Sequence, residues 1–185
     1  QGVGVNDADY AVKPWINGVR AKCPYHRVWE HMLERGYSES YQARKPTYQD
    51  VTVCEEWLSF MTFREWMEGE DWEGLALDKD IIVPGNREYR PDRCLFVSQA
   101  VNSLLNTRAN ARGAYPCGVV KNFGKYRAQI SIFGKCKNLG CFDTVNEAEQ
   151  VYKKAKKRYI EEVAMTQTDA RIRDGLLRHA DLLAA

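Results

Sequence analysis

Apolar residues recur at helical spacing in two segments of the first half of the chain. After Pro24 they fall every three or four residues as far as Gly36, which predicts a helix between these two positions. An aromatic stripe across residues 54–67 predicts a second helix with its apolar face in a core. The polar residues 37–50 predict a loop, and residues 1–23 have no clear period and are expected to form an N-terminal arm.

The pattern changes to alternation around two acidic residues. Between residues 75 and 83, apolar side chains flank Asp78 and Asp80, which predicts a short strand with both carboxylates on one face. The Pro-Gly-Asn sequence at 84–86 has the composition of a turn. Two acids on so short a strand mark it as a candidate functional site.

A second short apolar run, residues 94–97, predicts a strand that follows the turn. Ser98 is suited to cap a helix, and the apolar residues within 99–105 have the spacing of one helical face. Asn102 lies off that stripe, and we expect its amide to point back toward the strand pair. The whole stretch therefore predicts a strand, a loop, a strand and a helix.

The second half of the chain alternates between polar and apolar residues. Three strands are predicted, over residues 118–120, 125–132 and 138–142. Gly124 and Gly134 mark the turns between them. Thr144 is suited to cap a helix over residues 145–163, and residues 164–185 predict a terminal helix.

These periods together predict an α+β fold with two functional parts. The expected organisation is the N-terminal arm over residues 1–23, a helical lead-in with the strand–strand–helix motif over 24–110, a three-stranded antiparallel sheet backed by one helix over 111–163, and a C-terminal helix over 164–185. The boundary is placed in the basic, turn-prone residues 106–113.

The amino-acid composition limits the classes of protein to which the chain can belong. The 185 residues are 44% hydrophobic and 11% aromatic, which is enough for real cores. Since no apolar run has the length of a membrane span and the first twenty residues lack the apolar core of a signal peptide, we expect a cytoplasmic protein with no membrane partner. The six cysteines form no close CxxC pair and are expected to be reduced, with a zinc site at Cys136 and Cys141 left open.

The net charge is only +2, but the basic residues are distributed unevenly along the chain. Residues 118–160 hold 10 basic and 3 acidic side chains. Such a local excess is typical of a surface that binds phosphates, although many basic helices are only solvated. The charge pattern therefore predicts a surface that binds phosphates.

Two short segments, residues 77–80 (LDKD) and 96–102, resemble the HNH endonucleases, in particular the phage and intron-encoded homing type. The resemblance implies a ββα-metal motif in which Asp78 and Asn102 hold one Mg²⁺, or another divalent cation such as Mn²⁺, against the scissile phosphate. It implies metal-dependent hydrolysis of a DNA phosphodiester without a small-molecule cofactor, by a phage-encoded protein in a bacterial host.

The position of the family's general-base histidine is occupied by Lys79. A lysine acts as a base only if burial or a neighbouring cation lowers its pKa by several units, and adjacent carboxylates have the opposite effect. The candidates for the base are therefore Lys79 itself, His31, His26, and a water at the ion assisted by Asp80.

The motifs GKYRAQI, LGCFDT and NEAEQVY follow one another within residues 115–160. In that order they resemble the plant ethylene-response-factor type of DNA-binding domain, which also occurs fused to HNH nucleases in phages. The resemblance implies that the exposed sheet face enters the major groove, with Arg127 and Gln129 at base edges. The residues expected near phosphates are Lys121, Lys125, Lys135 and Lys137 on the sheet, and Arg108 and Arg112 in the linker.

The expected function is a DNA endonuclease of the HNH homing type whose target is bound by the C-terminal domain. Because Lys79 replaces the histidine, the alternative is a catalytically inactive, sequence-specific DNA-binding protein derived from such a nuclease. A third hypothesis is an interaction protein that binds a host protein. The sequence leaves both a monomer and a homodimer open.

Overall fold

A computed structural model describes residues 2–105 and 114–183. The chain divides into two compact units, Gln1–Val97 and Ser98–Ala185, which are called unit 1 and unit 2 below. The predicted boundary at residue 110 lies outside the described residues. The structure is mixed helix and strand and includes a three-stranded antiparallel sheet, compatible with the α+β class.

Unit 1 contains short strands and three α-helices among its described residues. In chain order they are β1 (Trp15–Ile16), β2 (Val19–Arg20), α1 (Pro24–Tyr37), α2 (Glu39–Arg44), β3 (Thr52–Val53), α3 (Phe60–Glu68), β4 (Ala76–Asp78), β5 (Glu88–Tyr89) and β6 (Leu95–Val97). β1 pairs with β2 and β4 with β6, both antiparallel, whereas β3 and β5 are parallel.

The prediction for α1 is confirmed. Pro24 occupies the first turn, where its missing N–H is not needed, and the helix continues to Tyr37. Its apolar face buries Trp29, Met32 and Leu33 against the aromatic residues of the following segment. The indole N–H of Trp29 donates to the carbonyl of Trp57 at 2.7 Å, so that this large side chain is buried with its one polar group paired.

Two predictions in unit 1 are wrong in detail. The expected loop at 37–50 contains α2, which begins after Ser38 because the Ser38 hydroxyl accepts the backbone N–H of Tyr41. The expected single helix over 54–67 is a 3₁₀ turn followed by α3. It breaks at Ser59, whose hydroxyl accepts the backbone N–H of Thr62 and so starts a new helix.

Unit 2 has the predicted three strands and a long helix. Its elements are α4 (Gln99–Leu104), β7 (Val119–Asn122), β8 (Lys125–Ile132), β9 (Lys135–Phe142), α5 (Val145–Ala164) and α6 (Ala170–Asp181). The strands form an antiparallel sheet in the order β7-β8-β9. The predicted cap of α5 is confirmed, because Thr144 and Glu147 form a capping box. Asp169 caps α6.

One face of this sheet packs against α5. Val119 and Ala128 from the sheet and Ala148 from the helix are buried together. Gly118 adopts a positive φ of 76°, and a Cβ there would lie 2.0 Å from the Tyr152 ring, so only glycine fits this close approach. The opposite face of the sheet carries Arg127 and Gln129, and we call it the outer face.

All six cysteines are free. Among the helices of the described residues, none combines the length and the apolar character that crossing a membrane requires.

Candidate functional site

The strand register decides which side chains share the outer face of the sheet. Arg127 lies in the central strand and is paired with Val120 on one side and Cys141 on the other. Gln129 is paired with Asn138, and Lys125 lies two residues before Arg127 on the same side. Arg127, Gln129 and Lys125 therefore lie in one row along β8, as predicted from the alternation.

Arg127 is the most unusual residue of this row. Its Nε is buried, yet it has no hydrogen-bond partner within the residues that the structure describes. Buried polar atoms are nearly always paired, so an unpaired guanidinium nitrogen at the centre of a sheet face is an exception that needs a reason. A ligand that accepts hydrogen bonds on the outer face would supply one once the side chain turns Nε toward it.

Lys125 lies at the exposed end of the same row. Its ammonium is 3.0 Å from the Asp143 carboxylate, and a hydrogen bond to that carboxylate raises the pKa of Lys125 above its ordinary value. Both side chains are exposed, so the pair is a weak one that a phosphate can replace.

The other predicted lysines do not share this face. Lys121, Lys137 and Lys135 are paired with Tyr126, Ile130 and Ile132, respectively, which lie on the side of the sheet toward α5. Directly paired residues of an antiparallel sheet project from the same face. These three lysines therefore do not share a surface with Arg127, and their contact with phosphates stays a prediction. Arg108 and Arg112, predicted to contact the DNA backbone, lie outside the described residues.

An aromatic residue that the sequence reasoning missed lies at the end of the same hairpin. Phe123 is fully exposed, and its φ of 44° is a left-handed conformation that aromatic residues rarely adopt. The signal was present in the Asn-Phe-Gly-Lys sequence of the turn between β7 and β8, which places a large ring where small polar residues are usual.

The hairpin of β4 and β6 holds the predicted nuclease residues of unit 1. Asp78 ends β4, and its Oδ1 accepts the backbone N–H groups of Asp80 and Ile81, each at 2.8 Å. The predicted strand over 75–83 is therefore shorter than expected, because this carboxylate turns the chain. Burial raises the pKa of Asp78. Its Oδ2 makes no hydrogen bond to a residue that the structure describes.

Lys79 is buried and tied into the hairpin. Its ammonium donates to both carboxylate oxygens of Asp80, at 2.8 and 2.9 Å, and to the Asn86 carbonyl at 2.8 Å. The Asn86 amide in turn donates to the carbonyls of Lys79 and Glu88. Since its three protons are directed at these acceptors and its side chain is only 6% exposed, the geometry favours a structural role over the predicted catalytic one.

The two candidate histidines of α1 have different environments. His26 is buried against Trp29 and Phe60, and burial lowers its pKa despite the Glu30 carboxylate 3.6 Å away. A ring enclosed in this way packs the core and is not available to a substrate, so His26 is withdrawn as a candidate base. His31 is exposed on the same helix and stays a prediction.

The residues of the predicted metal site differ in how well their side chains can bind Mg²⁺. Mg²⁺ binds oxygen ligands and keeps several waters, so one or two protein ligands suffice. Asp78 fits through Oδ2. Asp80, which was expected to assist a water at the ion, has both oxygens engaged by hydrogen bonds from the Lys79 ammonium. Asn102 is half-buried on α4 of unit 2. Within residues 2–105 and 114–183, no group of three or more His, Cys, Asp or Glu side chains is arranged to hold a metal.

The two candidate functional surfaces are the outer face of the sheet in unit 2 and the hairpin of Asp78 in unit 1. No family model matches the chain, and no curated protein and no solved structure matches it either.

Proposed function

We propose that the chain binds double-stranded DNA through the outer face of the sheet in unit 2. The observation that carries the proposal is the Arg127 guanidinium at the centre of this face. Its Nε is buried and donates a hydrogen bond to no described residue. Arginine donates two parallel hydrogen bonds to the O6 and N7 atoms of guanine, and a neighbouring glutamine suits adenine. Gln129 is two residues away on the same face.

One end of this row suits the sugar–phosphate backbone. Lys125 is exposed and, among the residues that the structure describes, is held only by a weak surface ion pair, so its ammonium is available to a phosphate. Phe123 extends beyond it at the turn and can pack against a deoxyribose. Contacts of this kind fix the position of a protein on the duplex, while Arg127 and Gln129 select the bases.

The test is a titration of fluorescent mixed-sequence duplex with the full chain at several salt concentrations. We expect binding whose affinity falls steeply as salt increases, because phosphate contacts release counterions. Arg127→Gln should weaken binding about tenfold, since a bidentate contact contributes about 1–3 kcal/mol. Lys137→Gln is the matched control on the other face and should have a smaller effect. Equal losses in both variants, or no binding by the wild type, would overturn the proposal.

We further propose that the bound DNA is hydrolysed by an HNH-type site. Asp78 would bind a divalent cation such as Mg²⁺ or Mn²⁺, which supplies charge stabilisation at the scissile phosphate. Asn102 stays a second ligand predicted from the resemblance alone. The support is that Asp78 has one oxygen engaged in the turn and one without a described partner. His31 is the exposed candidate for the base, because His26 and Lys79 are enclosed.

A second candidate function is occupation of DNA without cleavage. The buried position of Lys79 favours it, because the residue in the place of the family's base is engaged with Asp80 and Asn86. Incubation of the full chain with a mixed DNA library, with Mg²⁺ or with a chelator, distinguishes the two functions by sequencing of the ends. Recurrent, metal-dependent ends that Asp78→Asn abolishes would establish the nuclease. An intact library, with retained binding, would establish the non-catalytic protein.

A further inference from the structure

A second basic and apolar surface is present in unit 1, at the hairpin of β1 and β2. Trp15 is paired with Arg20 and Ile16 with Val19. The two residues of the turn, Asn17 and Gly18, both have positive φ, at 51° and 78°. This is the geometry of a tight two-residue hairpin turn, for which Asn-Gly is the preferred sequence.

The hairpin has a fixed base. Its ladder continues past the strands, because the N–H of Ala21 donates to the Pro14 carbonyl at 2.9 Å and that of Cys23 to the Val12 carbonyl at 2.8 Å. Val12 and Cys23 pack against the core of unit 1. The turn therefore lies at the far end of a ribbon that the core holds in place.

The exposed end of this ribbon is apolar on both faces. Trp15, Ile16 and Val19 are 69%, 54% and 68% exposed, although each is a large apolar side chain. Folded proteins rarely expose adjacent large apolar residues unless the surface binds something. A ribbon of two short strands is also marginally stable by itself in water, so a partner that covers it would stabilise it.

Charge identifies the partner. Residues 11–29 contain four basic side chains and no acidic one, although residues 1–97 as a whole have more acidic than basic residues. Lys13 and Lys22 lie 2.7 and 4.0 Å from Glu30. Arg20 and Arg27 have no ion pair to any described residue, and the Arg20 guanidinium lies 5.8 Å from the centre of the Trp15 ring. Apolar side chains flanked by unpaired arginines are complementary to bases flanked by phosphates.

We propose that the ribbon of residues 12–23 enters the major groove of duplex DNA as a second DNA-binding surface. The inference rests on the proposed DNA binding by unit 2. A two-stranded ribbon fits the major groove, about 12 Å wide, and not the minor groove, about 6 Å wide. Ile16 and Val19 contact thymine methyl groups from one face, and Arg20 contacts a phosphate from the other.

The experiment compares variants of the full chain in the duplex titration. Ile16→Ser with Val19→Ser should weaken binding about tenfold, and Arg20→Gln should reduce the slope of log affinity against log salt by about 0.9, the contribution of one phosphate contact. Met165→Ser, which changes an equally exposed apolar residue of unit 2, is the matched control and should bind as wild type. All of the substituted side chains are exposed, so the fold is retained.

A second measurement detects the contact directly. Trp15 is the most exposed tryptophan of the chain, so DNA should protect its fluorescence from acrylamide, and Trp15→Phe should remove the protected component. If the wild type binds duplex and the ribbon variants bind equally well, this inference is overturned while the function of unit 2 stands. If the variants lose only a dimer seen by sedimentation, the ribbon binds a second copy instead. A chain that binds no duplex overturns both proposals.

Discussion

The buried lysine of the hairpin allows a sharp prediction, because a structural and a catalytic Lys79 respond differently to substitution. Lys79→Met keeps a side chain of similar length and fills the same space, so the cavity contribution is small. It removes the hydrogen bonds to Asp80 and Asn86 that hold the hairpin together.

The expected loss of stability can be worked from the exposure of each partner. The Asn86 carbonyl becomes an unpaired buried acceptor, which costs about 1–3 kcal/mol. The Asp80 side chain is 45% exposed and becomes hydrated, so the lost ion pair adds only about 0–1 kcal/mol. We therefore expect the free energy of unfolding of unit 1 to fall by about 2 kcal/mol.

Tryptophan fluorescence isolates this effect, because all five tryptophans lie in unit 1. Urea denaturation followed by this signal measures unit 1 without interference from unit 2. Lys45→Met, at an exposed lysine of the same unit, is the matched control and should change the midpoint little. Unchanged stability of Lys79→Met together with complete loss of DNA cleavage would refute the reasoning and make Lys79 a catalytic residue.

Three further predictions concern individual side chains. Asp78→Asn keeps an oxygen for the turn but loses the charge, so metal-dependent cleavage should disappear while duplex affinity stays within twofold; cleavage at the wild-type rate would show that the metal assignment is wrong. Burial lowers the pKa of His26, so as pH falls the unfolded chain binds a proton at His26 before the folded chain does. Stability of unit 1 should then decline below about pH 6.5, and His26→Phe should lack that part of the decline in fluorescence-monitored denaturation. Thr144→Ala removes the capping box of α5 and should cost about 1 kcal/mol in thermal melts followed by circular dichroism, with an unchanged melt as the contrary result.

The elements that the sequence predicted well are those with local signals. Pro24 and the apolar spacing after it define α1, and Thr144 with Glu147 defines the start of α5. The interrupted helix and the missed α2 also have local causes, in Ser59 and Ser38. Serine is a common helix-capping residue, but the polar composition around Ser38 favoured a loop and the aromatic stripe around Ser59 favoured one continuous helix.

Which residues share a face of the sheet depends on the register of its strands. Counting back from the two-residue turn at Phe133 and Gly134 pairs Ile130 with Lys137, which places this lysine away from Arg127. The bulge after Ala128 then shifts the remaining pairs by one residue, and no local pattern announces it. Alternation along one strand therefore predicted the row of Arg127 but not its neighbours on the next strand.

The candidate site in unit 1 depended on contacts across a loop. Lys79 stands between two acids in the sequence and was expected at the position of the family's general base. Its burial follows from Asn86, seven residues later, which folds back so that the two residues exchange side-chain-to-backbone hydrogen bonds. Spacing alone does not predict such an exchange, because it depends on the path of the loop between them.

The central claim, that the outer face of the sheet selects DNA bases, is tested most directly by selection of bound sequences from a randomised duplex pool. We expect the wild-type chain to enrich a motif that contains a guanine, and we expect Arg127→Ala to lose the preference at that guanine alone. Lys137→Ala, altered on the opposite face, should enrich the same motif as the wild type. Identical motifs from the wild type and Arg127→Ala, or no enrichment by the wild type, would contradict the account.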